Sequence, residues 1–251
     1  MHPRHLLIAL ALFAAACTGP RTELPGYGQA PAVAPSPSPS PSPLPPFAGG
    51  ASVGGLDRIS ARLSQAILQP DMCNRLNCPP SGGYVVELID DDAVNAATDG
   101  DRIYVARGLL DFAANDGELA AVLAHEIAHG LLDHLGSKQQ DAVLGAVLGA
   151  ALGVAVGVDV SGLGANLGAL TYSKTYEREA DYVGLYILAR AGYGLRDAYT
   201  MWQKLATVST SRGSFLDSHP AFTERLALLR ATNDEIAAKI RTRQPLVPAL
   251  N

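Results

Sequence analysis

Apolar residues recur at helical spacing over residues 57–69, where Ile59, Leu63, Ile67 and Leu68 share a face and Pro70 follows, so an amphipathic helix is expected there. Two β-rich runs come next, residues 84–89 (YVVELI) and 102–106 (RIYVA), separated by an acidic, glycine-containing turn around Asp99 and Gly100. They read as strands of a small sheet. A longer helical pattern opens at Asn115, which with Glu118 three residues later makes a capping-box-like start. Leu119, Val122, Leu123, Ile127, Leu131 and Leu135 fall in one apolar arc, and Gly136 offers a stop, which predicts a helix of about five turns. Another helix is expected over residues 175–191, apolar at Tyr182, Leu185, Tyr186 and Leu188, with Gly192 as its stop.

Three segments depart from these amphipathic patterns. Arg4 precedes an apolar stretch from Leu6 to Ala16, which has the length of a signal-peptide core and is too short to span a bilayer. Ala14, Ala15 and Ala16 stand directly before Cys17 and resemble a bacterial lipobox, with Cys17 as the lipidated first residue of the mature chain. Cleavage by an ordinary signal peptidase near Ala16 is the other reading, and both export the chain. Residues 31–46 then hold eight prolines in sixteen positions, a spacer that at ~3.1 Å per residue reaches about 50 Å. The expected layout is a signal peptide over 1–16, a lipid-anchored Pro/Ser-rich linker over 17–50 and one folded domain over 51–251. The third segment, residues 142–158, contains only Ala, Val, Leu and Gly, with Gly145, Gly149, Gly153 and Gly157 four apart. It is expected to be buried or lid-forming, a membrane-dipping segment or a true span being the alternatives.

Composition narrows the function. Lys and Arg total 19 against 24 Asp and Glu, a formal charge of −5, so no basic field is available for nucleic acid. Removing residues 1–16 takes away Arg4 and leaves the chain more acidic still, so membrane attachment is expected through lipid rather than charge. Cys73 and Cys78 enclose a four-residue loop, and in an exported protein a local disulfide between them is expected.

The chemistry lies in His125-Glu126-Ile127-Ala128-His129. Positions i and i+4 share a helix face, so two imidazoles can converge on one zinc ion, and Glu126 beside them can take a proton from a metal-bound water. Leu135 stands where a metzincin has its third histidine and cannot bind metal, which excludes that class. His134 lies five residues beyond His129, about 140° further round a continuous helix, and is expected at the surface or behind the ligands. Carboxylates on another helix remain as candidates. Glu177 and Asp181 share a face, and Glu179 is the rival about 200° round from Glu177.

HEIAH followed some fifty residues later by EREAD (177–181) resembles the zinc metallopeptidases of peptidase family M48, the CAAX prenyl protease, HtpX and BepA type. Asn95-Ala96 with Gly100, Ile103 and Arg107-Gly108-Leu109-Leu110 is similar to the family's strand and turn leading into the zinc helix. Glu118-Leu119-Ala120 is similar to its helix start, and Ser218-His219-Pro220 with Arg225 to its late histidine-proline segment. The likeness runs over roughly residues 57–235. It implies an α+β, mainly helical, zincin-like (gluzincin) domain with a small sheet packed on the zinc-binding helix. It makes His125, His129 and Glu177 the ligands of one zinc ion, Glu126 the base, and Asp181 a group that orients a ligand or assists proton transfer. It makes His219 a gate or fourth ligand, although the residues alone fit a helix cap before Pro220 equally well. Arg225 would pair with Asp181 or Glu177, and an edge strand near Asn95 or Tyr104 would hold extended substrate. A His₂Glu set leaves a coordination position open, as catalytic zinc requires.

The expected protein is thus a zinc metalloendopeptidase of the bacterial periplasm, lipid-anchored, more readily to the outer than the inner membrane. Its expected partners are unfolded or misassembled envelope polypeptides. The competing expectation is a latent-protease assembly factor or chaperone that acts by binding them.

Overall fold

Asn115 sets the start of the central helix by accepting a hydrogen bond from the Glu118 backbone N–H at 2.9 Å, while Glu118 Oε2 accepts from the Ala114 N–H at 2.8 Å. The pair satisfies donors that a helix start leaves free. In the computed structural model, which describes residues 53–77, 79, 83–140, 172–208, 214–220 and 223–250, this helix is α4 (Asp116–Leu131). Before it come α1 (Val53–Ile67), the short α2 (Pro70–Cys73), β1 (Val85–Ile89), β2 (Ala96–Thr98), β3 (Arg102–Ala106) and α3 (Arg107–Phe112). After it come α5 (Lys174–Arg190), α6 (Leu195–Leu205), the short α7 (Phe215–Ser218) and α8 (Arg225–Arg241).

The predicted face of α1 is buried at Ile59, Leu63 and Ile67, and Leu68, just past its end, is exposed. The two predicted strands are β1 and β3, and they pair in parallel. The third strand, β2, runs antiparallel to β3, giving the order β1-β3-β2. Between β2 and β3, Asp99 Oδ1 accepts from the N–H groups of Asp101 and Arg102 at 3.0 and 2.8 Å, and Gly100 takes φ +103°, a left-handed turn open to glycine. The sheet packs on α4 through β2 and β3.

Helix α4 is buried almost all round rather than along one arc, because α1, α5, α6 and the sheet surround it. Its end departs from expectation. The helix stops at Leu131, Leu132 caps it, and Asp133 takes φ +51° before residues 134–140 resume as helix. Asp133 Oδ1 accepts from the Gly136 N–H at 3.2 Å, so Gly136 lies inside the next helical segment instead of ending the first.

Helix α5 begins at Ser173, whose hydroxyl accepts from the Tyr176 N–H at 3.2 Å, and ends as predicted at Gly192 (φ +75°). There the N–H groups of Gly192 and Tyr193 return to the carbonyls of Ala189 and Leu188. Gly184 lets α5 lie directly on α4: a Cβ there would stand 3.2 Å from the Ala124 carbonyl oxygen and 3.3 Å from His125 Cα. This close approach brings the EREAD face onto HEIAH.

The fold class is therefore mainly helical with one small sheet among the described residues. No helix among them is long and apolar enough to cross a membrane. The expectations for residues 1–16, Cys17, the linker to residue 50, the 142–158 segment and Cys78 lie outside the described residues. Cys73 is disulfide-bonded.

Candidate metal centre

Four side chains from three elements meet inside the protein. His125 and His129 come from α4, Glu177 from the first turn of α5, and His219 from the residue that ends α7. All are buried, and their donor atoms lie within 4.8 Å of one another. His125 Nε2 is 3.1 Å from His129 Nε2, 3.3 Å from His219 Nδ1 and 3.6 Å from Glu177 Oε2. Glu177 Oε1 is 3.4 Å from His129 Nε2 and 2.9 Å from His219 Nδ1. Zinc bonds of ~2.0–2.1 Å in a tetrahedron put neighbouring ligand atoms about 3.3–3.4 Å apart. The observed separations cluster around that value.

The protonation balance also suits a cation. Burial holds both α4 imidazoles well below their ordinary pKa, so they are neutral, as metal ligands must be. For Glu177 burial is the largest influence and opposes ionisation, yet His219, Arg225 and a hydrogen bond from His129 keep it well below the usual carboxylate range. Both oxygens of Glu126 are buried without a hydrogen-bond partner, whereas Glu177 Oε2 faces the Arg225 guanidinium at 3.0 Å. Buried unsatisfied carboxylate oxygens cost stability unless a cation compensates them, and two nitrogens plus a carboxylate are a donor set zinc accepts. The residues fit the ion.

Glu126 sits beside the cluster with Oε1 3.4 Å from His219 Nε2, beyond a good hydrogen bond, and the Thr98 backbone nearby closes no straight one. Burial pushes its pKa up to about 7. Asp181, one turn beyond Glu177, brings Oδ1 to 3.0 Å from His125 Nδ1, off the line of a straight hydrogen bond, and accepts from Arg225 at 2.7 Å. Burial raises Asp181 to about 6. Arg225 is itself buried: it pairs with Glu177 at 3.0 Å as well as Asp181, and its guanidinium lies 4.3 Å over the Trp202 ring. His219 is hemmed in by Phe215, stacked at 4.3 Å, and by Tyr172. Burial lowers its pKa, but the Glu177 and Glu126 carboxylates outweigh that and raise it above the ordinary value.

Two expectations change. Of the two places expected for His134, the surface is excluded and the place behind the ligands is the one found: it is buried, because the left-handed Asp133 turns the chain back and a rotation counted along an unbroken helix no longer applies. Its Nδ1 is 2.9 Å from His129 Nδ1 and its Nε2 is 3.0 Å from Glu179 Oε2, so the rival acid Glu179 belongs with His134 and stands outside the four-residue cluster. Tyr104 is not on a sheet edge, because it lies on the central strand β3, paired to β1 on one side and β2 on the other. Its hydroxyl donates to Asp99 at 2.9 Å. Asn95 directly precedes the edge strand β2; its carbonyl accepts from the Ala106 N–H and its buried Oδ1 has no hydrogen-bond partner.

Sequence reasoning missed the aromatic wall. Tyr172 lies 4.0 Å from the His129 ring and carries Lys138 3.7 Å above its own ring, while Trp202 meets His125 edge-on at 5.1 Å. No local spacing announces them. A cavity of about 240 Å³ opens beside His129, between the Thr98–Gly100 turn and the break after α4, with Asp133, Leu135 and Gln139 in its wall.

The profile of peptidase family M48 matches residues 60–233. Mitochondrial metalloendopeptidase OMA1 of Arabidopsis thaliana is 34% identical over 153 residues, 60% of this chain and 32% of that protein. OMA1 of Saccharomyces cerevisiae is 32% identical over 138 residues, 51% of this chain and 39% of its own. The beta-barrel assembly-enhancing protease of Escherichia coli K12 is 28% identical over 184 residues, 62% of this chain and 38% of its own. The chain thus spans about a third to two fifths of the length of these relatives.

Proposed function

Because the chain belongs to peptidase family M48, we propose that it is a zinc-dependent metalloendopeptidase, of the gluzincin type, acting on unfolded or misassembled envelope proteins. The observation that carries this reading is the buried set of His125, His129, Glu177 and His219 with Glu126 beside it. His125 and His129, through Nε2, and Glu177 would hold the ion, and the tetrahedral-edge separations support that choice. When bound, zinc polarises the scissile carbonyl and lowers the pKa of water at the site.

The protein's own groups do the rest. Glu126, with both oxygens free of hydrogen bonds, accepts the proton of the attacking water at its carboxylate and passes it to the leaving amine. Asp181 holds the far side of the His125 ring, and Arg225 offsets the charges of Glu177 and Asp181. The edge strand β2, entered from Asn95, would align extended substrate by backbone pairing. An Asn95→Pro variant should therefore lose turnover, and normal activity in it would remove β2 from the account.

A second reading is favoured by one distance pair. His219 Nδ1 lies 2.9 Å from Glu177 and 3.3 Å from His125 Nε2, close enough to be a fourth donor, and four protein ligands make a closed site. On this reading the protein is a latent protease, opened when His219 withdraws, or a binding factor for envelope proteins. Envelope substrates and export rest on the residues of the leader and Cys17 and on the assembly role in the name of the E. coli relative. Incubating the purified protein with casein tests the peptidase reading: cleavage should disappear with a zinc chelator and return with added zinc. His219→Ala should cut faster than wild type if the site is gated. Zinc-loaded wild type and His219→Ala that both leave casein intact would reject it in favour of the binding factor.

A further inference from the structure

The three acids of EREAD all reach the metal cluster, by three different routes. Glu177 enters it directly, and Asp181 faces the outer nitrogen of His125 at 3.0 Å. Glu179 points the other way on α5 and meets His134, which in turn meets the outer nitrogen of His129. We infer that His134 and Glu179 are positioning residues for the second metal-binding histidine, joined in a carboxylate–histidine–histidine chain that ends on His129. The inference rests on the reading of His129 as a ligand through Nε2.

The proton positions follow from that reading. An imidazole that gives its Nε2 lone pair to a metal carries its one proton on Nδ1. His129 Nδ1–H then donates to the polar atom that faces it among the described residues, His134 Nδ1 at 2.9 Å, which makes that atom an acceptor. His134 Nε2 then carries a proton and donates to Glu179 Oε2 at 3.0 Å. Every nitrogen in the chain has one role, and the carboxylate at its end polarises both rings toward the metal. Carboxylates behind metal-binding histidines fix the ring and raise its basicity, and losing them costs about 10–100-fold in metal affinity.

The fold is built to hold this chain. His134 and Glu179 are buried, and the His134 ring stacks on Tyr176 at 4.6 Å, so it has a fixed plane. The left-handed Asp133 breaks α4 at the point that returns His134 to the His129 ring. Both outer nitrogens are thereby backed by acids two residues apart on α5, one directly and one through a second imidazole.

Zinc affinity of the full chain, measured by competition with a chromophoric chelator, tests this together with the visible absorption of the cobalt-loaded protein. His134→Phe, which keeps the stack on Tyr176, should bind zinc about 10–100-fold more weakly and shift the cobalt bands. His134→Gln, whose oxygen can accept from His129 while its NH₂ donates to Glu179, should recover most of the affinity. Glu179→Gln should fall between wild type and His134→Phe. Should His134→Phe fail to fold by circular dichroism, Glu179→Gln carries the test through the same two readouts. Unchanged affinity and cobalt spectrum in the folded variants, alongside loss of zinc in His129→Ala, would overturn the positioning role while leaving His129 a ligand. Zinc retained by His129→Ala would overturn both.

Discussion

Glu126 is a carboxylate that the fold buries with neither oxygen hydrogen-bonded, and burial raises its pKa from 4.5 to about 7. A carboxyl whose folded pKa lies above its unfolded value binds its proton more tightly when folded. Its contribution to stability is complete below the unfolded value of 4.5 and is lost as pH rises through about 7. In the metal-free protein that loss is on the order of 3 kcal/mol. Thermal unfolding of the metal-free wild type should therefore move to lower temperature between roughly pH 5 and pH 8. Glu126→Gln should flatten that slope and unfold at higher temperature than wild type at the alkaline end. An identical slope in the variant would show that Glu126 is not the strained group. At this scale, what the sequence revealed depended on distance along the chain. His125, Glu126 and His129 are legible because i, i+4 spacing is local, and Glu177 with Asp181 because they share one turn. His134 was legible only as surface or behind the ligands, since its contact with His129 depends on the backbone of Asp133, and Tyr172 and Trp202 reach the histidines only through tertiary packing.

Between elements, the decisive contact is α5 on α4 at Gly184, where the neighbouring helix backbone leaves no room for a side chain to grow. Gly184→Val should cost about 1–3 kcal/mol in urea unfolding, as overpacking typically does, and should weaken zinc binding because the pressure falls on Ala124 and His125. Wild-type stability and zinc affinity in that variant would mean the helices are not locked at this point. The ends of α5 were readable from Ser173 and Gly192, whose capping chemistry is local. The end of α4 was not. Leu135 and Gly136 continue the apolar arc and offer a plausible stop, while the break at residues 132–133 follows from a single left-handed residue that is not glycine. The short β2 likewise carries too few residues for a pattern, and its insertion is what leaves Tyr104 in the middle of the sheet rather than at its edge.

For the molecule as a whole, the lipid anchor proposed at Cys17 is tested separately from the metal centre. Cys17→Ser should release the protein from the membrane fraction to the soluble envelope fraction without changing casein cleavage by the purified protein; membrane association that persists would reject the lipid anchor. The M48 match over residues 60–233 covers the elements that build the centre, from α1 through the first half of α8. Class and centre could be read from the chain because HEIAH and EREAD each carry several site residues within one helical turn or two. Their distance apart in sequence, bridged by Gly184 packing and the α7 histidine, could not. The most direct test of the central claim is zinc content and casein cleavage measured side by side for wild type and Glu126→Gln. One zinc per chain is expected in both and cleavage only in wild type. Equal cleavage by the two zinc-loaded proteins would contradict it.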